Sequence, residues 1–265
     1  MYKKIIVKID RAILGGMIAK HYAPYFAKKS IAYKSDVFNY GFDIQYLKNE
    51  ESSLNILSDR YGSDKGEASP NSNPYRWGSH NYADFYSLIF GLRRNDVKSV
   101  VECGLGTNDP ALLSSMGIDG KPGASLRMWR DYFPNASIIG CDIDTGILFR
   151  DERIKTFHCD QTSSKSIKKF LENAELVEGS TDIIIDDGLH EFYAGICFFE
   201  NMIGSLCDNG IYIIEDVAQS DVVKYKDYFS KLSDAFEAQF VYLKSPLREF
   251  GDDNNLVCVR RKPTL

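Results

Sequence analysis

The chain reads as an α/β protein on a doubly wound, mostly parallel sheet of seven strands with an antiparallel C-terminal hairpin. Three observations lead there. Seven short apolar runs have strand character: Ser99 to Cys103, Ser137 to Cys141, Ile154 to Cys159, Asp182 to Ile185, Ile211 to Ile214, Phe240 to Leu243 and Leu256 to Arg260. Helical patterns at about 124–132, 163–174 and 191–206 lie among the first five, and another at 221–234 follows the fifth; alternation of this kind builds parallel sheets. Only a short turn with Pro and Gly, Ser245 to Asn254, separates the last two runs, so they pair antiparallel at an edge.

Composition sets the bounds. The 265 residues are 44% hydrophobic and 26% charged, ordinary globular usage, with 20 Gly and 8 Pro that exclude collagen-like and low-complexity readings. A chain of this length buries a core without disulfides or structural metal. Net charge is −5, which argues against a nucleic-acid binder. Residues 1–34 nonetheless carry eight Lys or Arg against one acid, Asp10. The six cysteines form no C-x-x-C pair, and buried free thiols in a reducing cytoplasm account for them. No apolar run approaches the ~18 residues of a membrane span. A cytoplasmic location and no membrane association are therefore expected.

Residues 1–55 mix apolar and basic positions at helical spacing, broken at Gly15, Gly16 and Pro24, and read as a helical appendage for oligomerisation or for covering substrate. A homo-oligomer is expected. Residues 56–265 form the sheet domain, and within it 62–81 is a long Gly-, Ser-, Asn- and Pro-rich loop, followed by an amphipathic helix at 82–94. Loops of that length in compact domains are usually functional.

Ligands of open α/β sheets bind beyond the carboxyl ends of the strands, where strand order reverses. The first strand runs into Glu102-Cys103-Gly104-Leu105-Gly106, whose glycines permit a tight turn and close backbone approach to a ligand. A dinucleotide fingerprint needs a third glycine where Asp109 stands. An acid before the glycines suits a cationic amino-acid group. The second strand ends at Asp142 and Asp144, and a carboxylate there can accept both hydroxyls of a ribose. Past the third strand, Asp160 and Gln161 could read an adenine edge.

The fourth and fifth strands end in Asp186-Asp187-Gly188-Leu189-His190 and Ile214-Glu215-Asp216-Val217. As neighbours about 4.8 Å apart they bring four acids together. Such acids repel unless a cation neutralises them, and oxygen donors favour a hard ion such as Mg²⁺. Helix capping by some of these acids is the competing structural explanation. His190, three residues past Asp187, is placed to accept a proton. His80 could approach from the loop.

Taken together, Tyr61 to Gly66, Pro122 to Pro134, Asp142 to Asp144, Asp160-Gln161, Asp186 to His190 and Ile214 to Asp216 resemble the metal-dependent class I sugar O-methyltransferases of macrolide and rhamnosyl-polyketide pathways, over residues 58–217. The resemblance implies a Rossmann-like class I methyltransferase fold. It implies S-adenosylmethionine bound by Glu102, Gly104, Gly106, Ser125, Asp142, Asp160, Gln161 and Asp186, with Lys65 closing over it. It further implies Mg²⁺ or another hard divalent ion on Asp187, Glu215 and Asp216, with His190 as base and Asp187 beside it in catalysis. Two positions depart from the pattern: Leu189 stands where Ser is common, and Glu215 where Asp is common.

The expected activity is methyl transfer to a polar hydroxyl of a sugar, of a nucleotide-activated glycan precursor, or of a related capsule or natural-product intermediate. Two alternatives come from other classes. One is a nicotinamide-dependent oxidoreductase, which Asp109 opposes. The other is a non-catalytic scaffold laying the basic segment 1–34 on a membrane surface.

Overall fold

Alternation of side chains along each strand divides the sheet's residues between two apolar layers. In the computed structural model, which describes residues 48–49, 51–69, 72, 74–75, 77–112, 114–244 and 253–262, eight strands form one sheet. They are β1 Ser99–Cys103, β2 Ser137–Asp142, β3 Arg150–Asp151, β4 Ile154–His158, β5 Thr181–Asp186, β6 Leu206–Ile214, β7 Phe236–Tyr242 and β8 Asn255–Arg261. The order is β3-β4-β2-β1-β5-β6-β8-β7. The central five are parallel, and β3, β8 and β7 pair antiparallel with their neighbours.

Among the described residues, six α-helices flank the sheet: α1 Ser53–Tyr61, α2 Tyr82–Phe90, α3 Ala124–Tyr132, α4 Ser164–Asn173, α5 Phe192–Met202 and α6 Gln219–Ser230. On the first face, Val100, Ile138, Ile183, Ile185 and Ile213 meet Leu54, Tyr86, Trp129 and Phe133 from α1, α2 and the α3 region. On the second, Val101, Ile139, Ile184, Tyr212 and Ile214 meet Phe170, Phe199 and Phe229 from α4, α5 and α6. All six cysteines are free, four of them buried.

The seven expected strands are present, and the hairpin sits at the edge as expected. The eighth, β3, has only two residues. Starting at Phe236, β7 is longer than its apolar run because exposed Glu237 and Gln239 interrupt it. Parallel register sets Cys103 level with both Cys141 and Asp186, and Asp186 level with Ile214. Gly104, Asp142, Asp187 and Glu215 therefore emerge together at one edge, beside the β1–β5 switch point.

The described residues belong to a unit beginning at Lys48. The basic segment 1–34, and the proposed appendage 1–55 as far as residue 47, lie outside the described residues. Among the described residues, no helix is long and apolar enough to cross a membrane.

Candidate active site

A cavity of about 540 Å³ opens at the carboxyl edge of the sheet, walled by Gly104 to Thr107, Ser125, Asp142, Asp160, Gln161, Asp187 to His190 and Asp216, and on the loop side by Ser63, Asp64, Lys65, Tyr75, Trp77 and His80. That is ample for one nucleoside-sized ligand. Most of the expected site residues line it; Glu102, Asp186 and Glu215 do not.

Backbone geometry starts the site. Gly104 has φ +90°, and a Cβ there would fall 1.8 Å from the carbonyl oxygen of Asp187. Only glycine lets the turn pass this close to the β5 end. Gly106 has φ +78° and packs on Met116. Asp142 holds the turn, its carboxylate accepting from the Leu105 amide at 2.7 Å and the Asp144 amide at 2.8 Å. Lone pairs remain on both oxygens for hydroxyl donors from the cavity. Burial raises its pKa, and the backbone amides pull it back in part.

Past β4, Asp160 accepts from the Thr162 amide and hydroxyl. Gln161 works as a strut: its amide nitrogen donates to Asp186 and its oxygen accepts from the Leu189 amide at 2.8 Å. Asp186 itself is turned from the main cavity. Ile183 and Ile185 face one layer, so Ile184 and Asp186 face the other. Asp186 lies near Tyr212, and burial pushes its carboxyl up to about 7.

Glu102, by the same alternation, points into the first layer, fully buried beneath the cavity floor. It accepts from Trp129 Nε1 at 2.8 Å and faces Lys65 Nζ at 3.3 Å. Burial raises its pKa to about 7, against the pull of Lys65. Lys65 is 2% exposed, and its ammonium also meets Asp187 at 2.6 Å and Glu215. Burial alone would lower the pKa of Lys65; Asp187, Glu215 and Glu102 more than reverse that and hold it well above its ordinary value. The second oxygen of Glu215 accepts from Tyr86 at 2.5 Å. Burial keeps Glu215 well above the usual carboxylate range, offset in part by Lys65.

Next to this centre, ligand atoms of Asp187, His190 and Asp216 lie within 4.8 Å of one another. His190 Nε2 stands 3.3 Å from Asp187 and 3.5 Å from Asp216. Asp216 accepts from the Tyr82 hydroxyl at 2.6 Å, and His80 Nε2 lies 3.3 Å away. His80 stacks on Tyr82 and bonds Asn254 across 2.8 Å. His190 and Asp216 both hold positive φ, 60° and 50°. Non-glycine residues keep that conformation only where their surroundings dictate it, a pattern common in functional sites. Burial lowers the pKa of His190, but Asp216 and Asp187 outweigh it and raise the imidazole to about 10. Burial likewise raises Asp187 and Asp216, and the neighbouring Lys65 and His190, and His80 and His190, bring them below the ordinary value.

Reading strand ends thus anticipates that Asp142, Asp187, His190, Glu215 and Asp216 converge at one edge of the sheet, Glu215 behind the cavity wall. It misses Tyr82 and Tyr86, whose spacing of four on α2 looks like core packing, although their hydroxyls hold Asp216 and Glu215.

No protein-family model matches the sequence. The chain is 33% identical over 165 residues to the 8-demethyl-8-alpha-L-rhamnosyl tetracenomycin-C 2'-O-methyltransferase of Streptomyces olivaceus, covering 62% of this chain and 37% of that protein. It is 31% identical over 175 residues to the L-olivosyl-oleandolide 3-O-methyltransferase of Streptomyces antibioticus, covering 65% and 39%. Mycinamicin VI 2''-O-methyltransferase of Micromonospora griseorubida is 31% identical over 138 residues, covering 52% and 32%. The chain therefore spans roughly two fifths or less of the length of these relatives. Among solved structures, the MycE methyltransferase of the mycinamycin pathway, in complex with Mg, SAH and mycinamycin VI, superimposes with a TM-score of 0.56 at 23% identity, covering 79% of this chain and 54% of that one. The sheet is accordingly a class I methyltransferase fold, and the sequence is similar to sugar O-methyltransferases across its central part.

Proposed function

We propose that the chain is an S-adenosylmethionine-dependent, divalent-cation-assisted O-methyltransferase whose acceptor is a sugar hydroxyl on a glycosylated small molecule. The observation that carries this reading is the Asp187–His190–Asp216 group in the wall of the same cavity as the Gly104 turn and Asp142. The relatives are named for glycosides of small molecules, which favours such acceptors over capsule polysaccharide; none is named as an oxidoreductase or a scaffold.

On this reading Gly104, Gly106, Ser125, Asp142, Asp160 and Gln161 hold the cofactor, with Asp142 accepting from the ribose. Glu102 and Asp186 act from behind, through Lys65 and Gln161. Asp187 and Asp216, whose ligand atoms lie within 4.8 Å of one another and of His190, would supply oxygen donors to a hard divalent ion, with Glu215 behind them on Lys65 and Tyr86 and His190 left to act as base. Such an ion would lower the acceptor hydroxyl's pKa and offset the negative charge that keeps His190 protonated. Bound S-adenosylmethionine would supply the methyl group and leave as S-adenosylhomocysteine, and neutral His190 would take the proton of the acceptor hydroxyl.

Two variants test this. Asp142→Ala removes a charged acceptor worth about 1.5–3 kcal/mol, so calorimetry should show S-adenosylhomocysteine binding at least tenfold weaker with an unchanged circular dichroism spectrum. An unaltered dissociation constant rejects the ribose assignment. Asp216→Ala should abolish Mn²⁺ binding, followed by the paramagnetic resonance of free Mn²⁺, while cofactor affinity stays within about threefold. The contacts of Lys65 favour a second reading, in which that lysine stands in place of a metal ion beside Asp187 and Glu215. Wild-type protein that binds the cofactor but no Mn²⁺ would establish it.

A further inference from the structure

The loop that carries Lys65 and His80 also carries two aromatic side chains that neither the cofactor nor the ion accounts for. Tyr75 and Trp77 stack with ring centroids 4.9 Å apart and planes 15° from parallel. Both line the cavity, and Trp77 is 38% exposed. Polar anchors fix the pair: Trp77 Nε1 donates to Asp64 at 2.8 Å, and the Tyr75 hydroxyl donates to the Gly62 carbonyl at 2.6 Å. Asp64 is itself tied to the base of the loop, its carbonyl accepting from the His80 amide at 2.7 Å. A large aromatic surface is thus presented to the cavity in one orientation.

The other contacts of this loop lie away from the adenosine side. That side lies at the ends of β2 and β4, where Asp142 and Asp160 stand. The loop instead reaches residues following β5 and β6: Lys65 meets Asp187 and Glu215, and His80 meets Asp216. In the sheet β1 and β5 intervene between β2 and β6. Burial and the Asp64 carboxylate raise the Tyr75 phenol, partly offset by a backbone hydrogen bond at Lys121 and by Lys65, with Asp187 adding to the rise.

We propose that Tyr75 and Trp77 form the platform for the acceptor's pyranose ring, a subsite that sets sugar selectivity and takes no part in cofactor binding. This rests on the methyltransferase reading above. A pyranose carries C–H groups on its faces and hydroxyls around its rim. The electron-rich face of an indole or phenol meets electropositive C–H hydrogens favourably, as it does the positive edge of another ring. Rim hydroxyls over this platform would face the Asp187–His190–Asp216 group, where one of them must be to react.

The probe is methyl α-L-rhamnopyranoside, observed by saturation-transfer NMR with S-adenosylhomocysteine and Mg²⁺ present. Wild type should transfer saturation to the ring protons. Trp77→Phe should keep most of that signal, and Trp77→Ala should reduce it at least fivefold. Cofactor affinity by calorimetry should stay within twofold in both variants. A signal retained in Trp77→Ala overturns the proposal, and so does a wild type that binds cofactor but gives no sugar signal. A tenfold loss of cofactor affinity in Trp77→Ala, with the variant folded, would assign the platform to the cofactor. Absence of cofactor binding by wild type would instead reject the methyltransferase reading, and this subsite with it.

Discussion

Replacing Lys65 by methionine is expected to destabilise the protein by about 3–5 kcal/mol at pH 8, the range for breaking a buried ion pair from one side. The lysine is 2% exposed and faces Glu102, Asp187 and Glu215 together, so its loss leaves several buried charges uncompensated. At roughly 2–4 °C per kcal/mol for a unit of this size, the melting temperature should fall by about 6–20 °C. The penalty has a pH signature. Folded Glu102 holds its proton up to about 7, above the ordinary value, so this group's contribution to stability is present at low pH and is lost as pH rises through about 7. Removing the ammonium raises Glu102 and Glu215 further, and protonating them relieves the repulsion. Thermal melts of the variant should therefore approach wild type between pH 8 and pH 5.5. A loss below 1 kcal/mol at pH 8 would show that water, not lysine, compensates these acids.

Gly104→Ala should be nearly as damaging and should also remove ligand binding. The new methyl would lie 1.8 Å from the Asp187 carbonyl oxygen and 2.5 Å from its carbonyl carbon. Both are backbone atoms, so no rotamer change relieves the clash. Left-handed backbone costs an L-residue about 1–2 kcal/mol, and overpacking adds about 1–3. Moving Asp187 to make room disturbs its contacts with Lys65 and His190. Calorimetry should show S-adenosylhomocysteine and Mn²⁺ binding both weakened by more than a hundredfold. Gly117→Ala is the control: φ is +72°, but nothing lies within 4 Å of a Cβ, so only the backbone term applies. Equal melting temperatures for the two variants would mean that the β1–β5 crevice opens freely.

Much of the architecture was legible because the strands are buried on both faces and stand out as Val- and Ile-rich runs. Their acidic ends follow from topology, since neighbouring parallel strands finish level. Harder to read was which way each acid points. Asp186 and Asp187 are adjacent in sequence, yet one joins Gln161 and Tyr212 and the other joins Lys65 and His190. That separation depends on where β5 stops. Lys65 was legible, through the resemblance, as a loop residue expected to close over a cofactor, but not as the partner of three carboxylates, because nothing local in the sequence links 65 to 102, 187 and 215. α1 was also hidden, its short amphipathic pattern merging with the mixed apolar and basic run before it.

The contacts of Lys65 also bear on when the centre can form. Its partners Asp187 and Glu215 lie 122 and 150 residues further along the chain, and His80 meets Asn254 across 174. Contacts between such distant residues follow the local and neighbouring-strand pairings that make them possible. During synthesis the loop is made first and waits for β5, β6 and the hairpin before its lysine and histidine find their acids. Assembly of the acidic centre thus belongs with completion of the fold rather than with its nucleation.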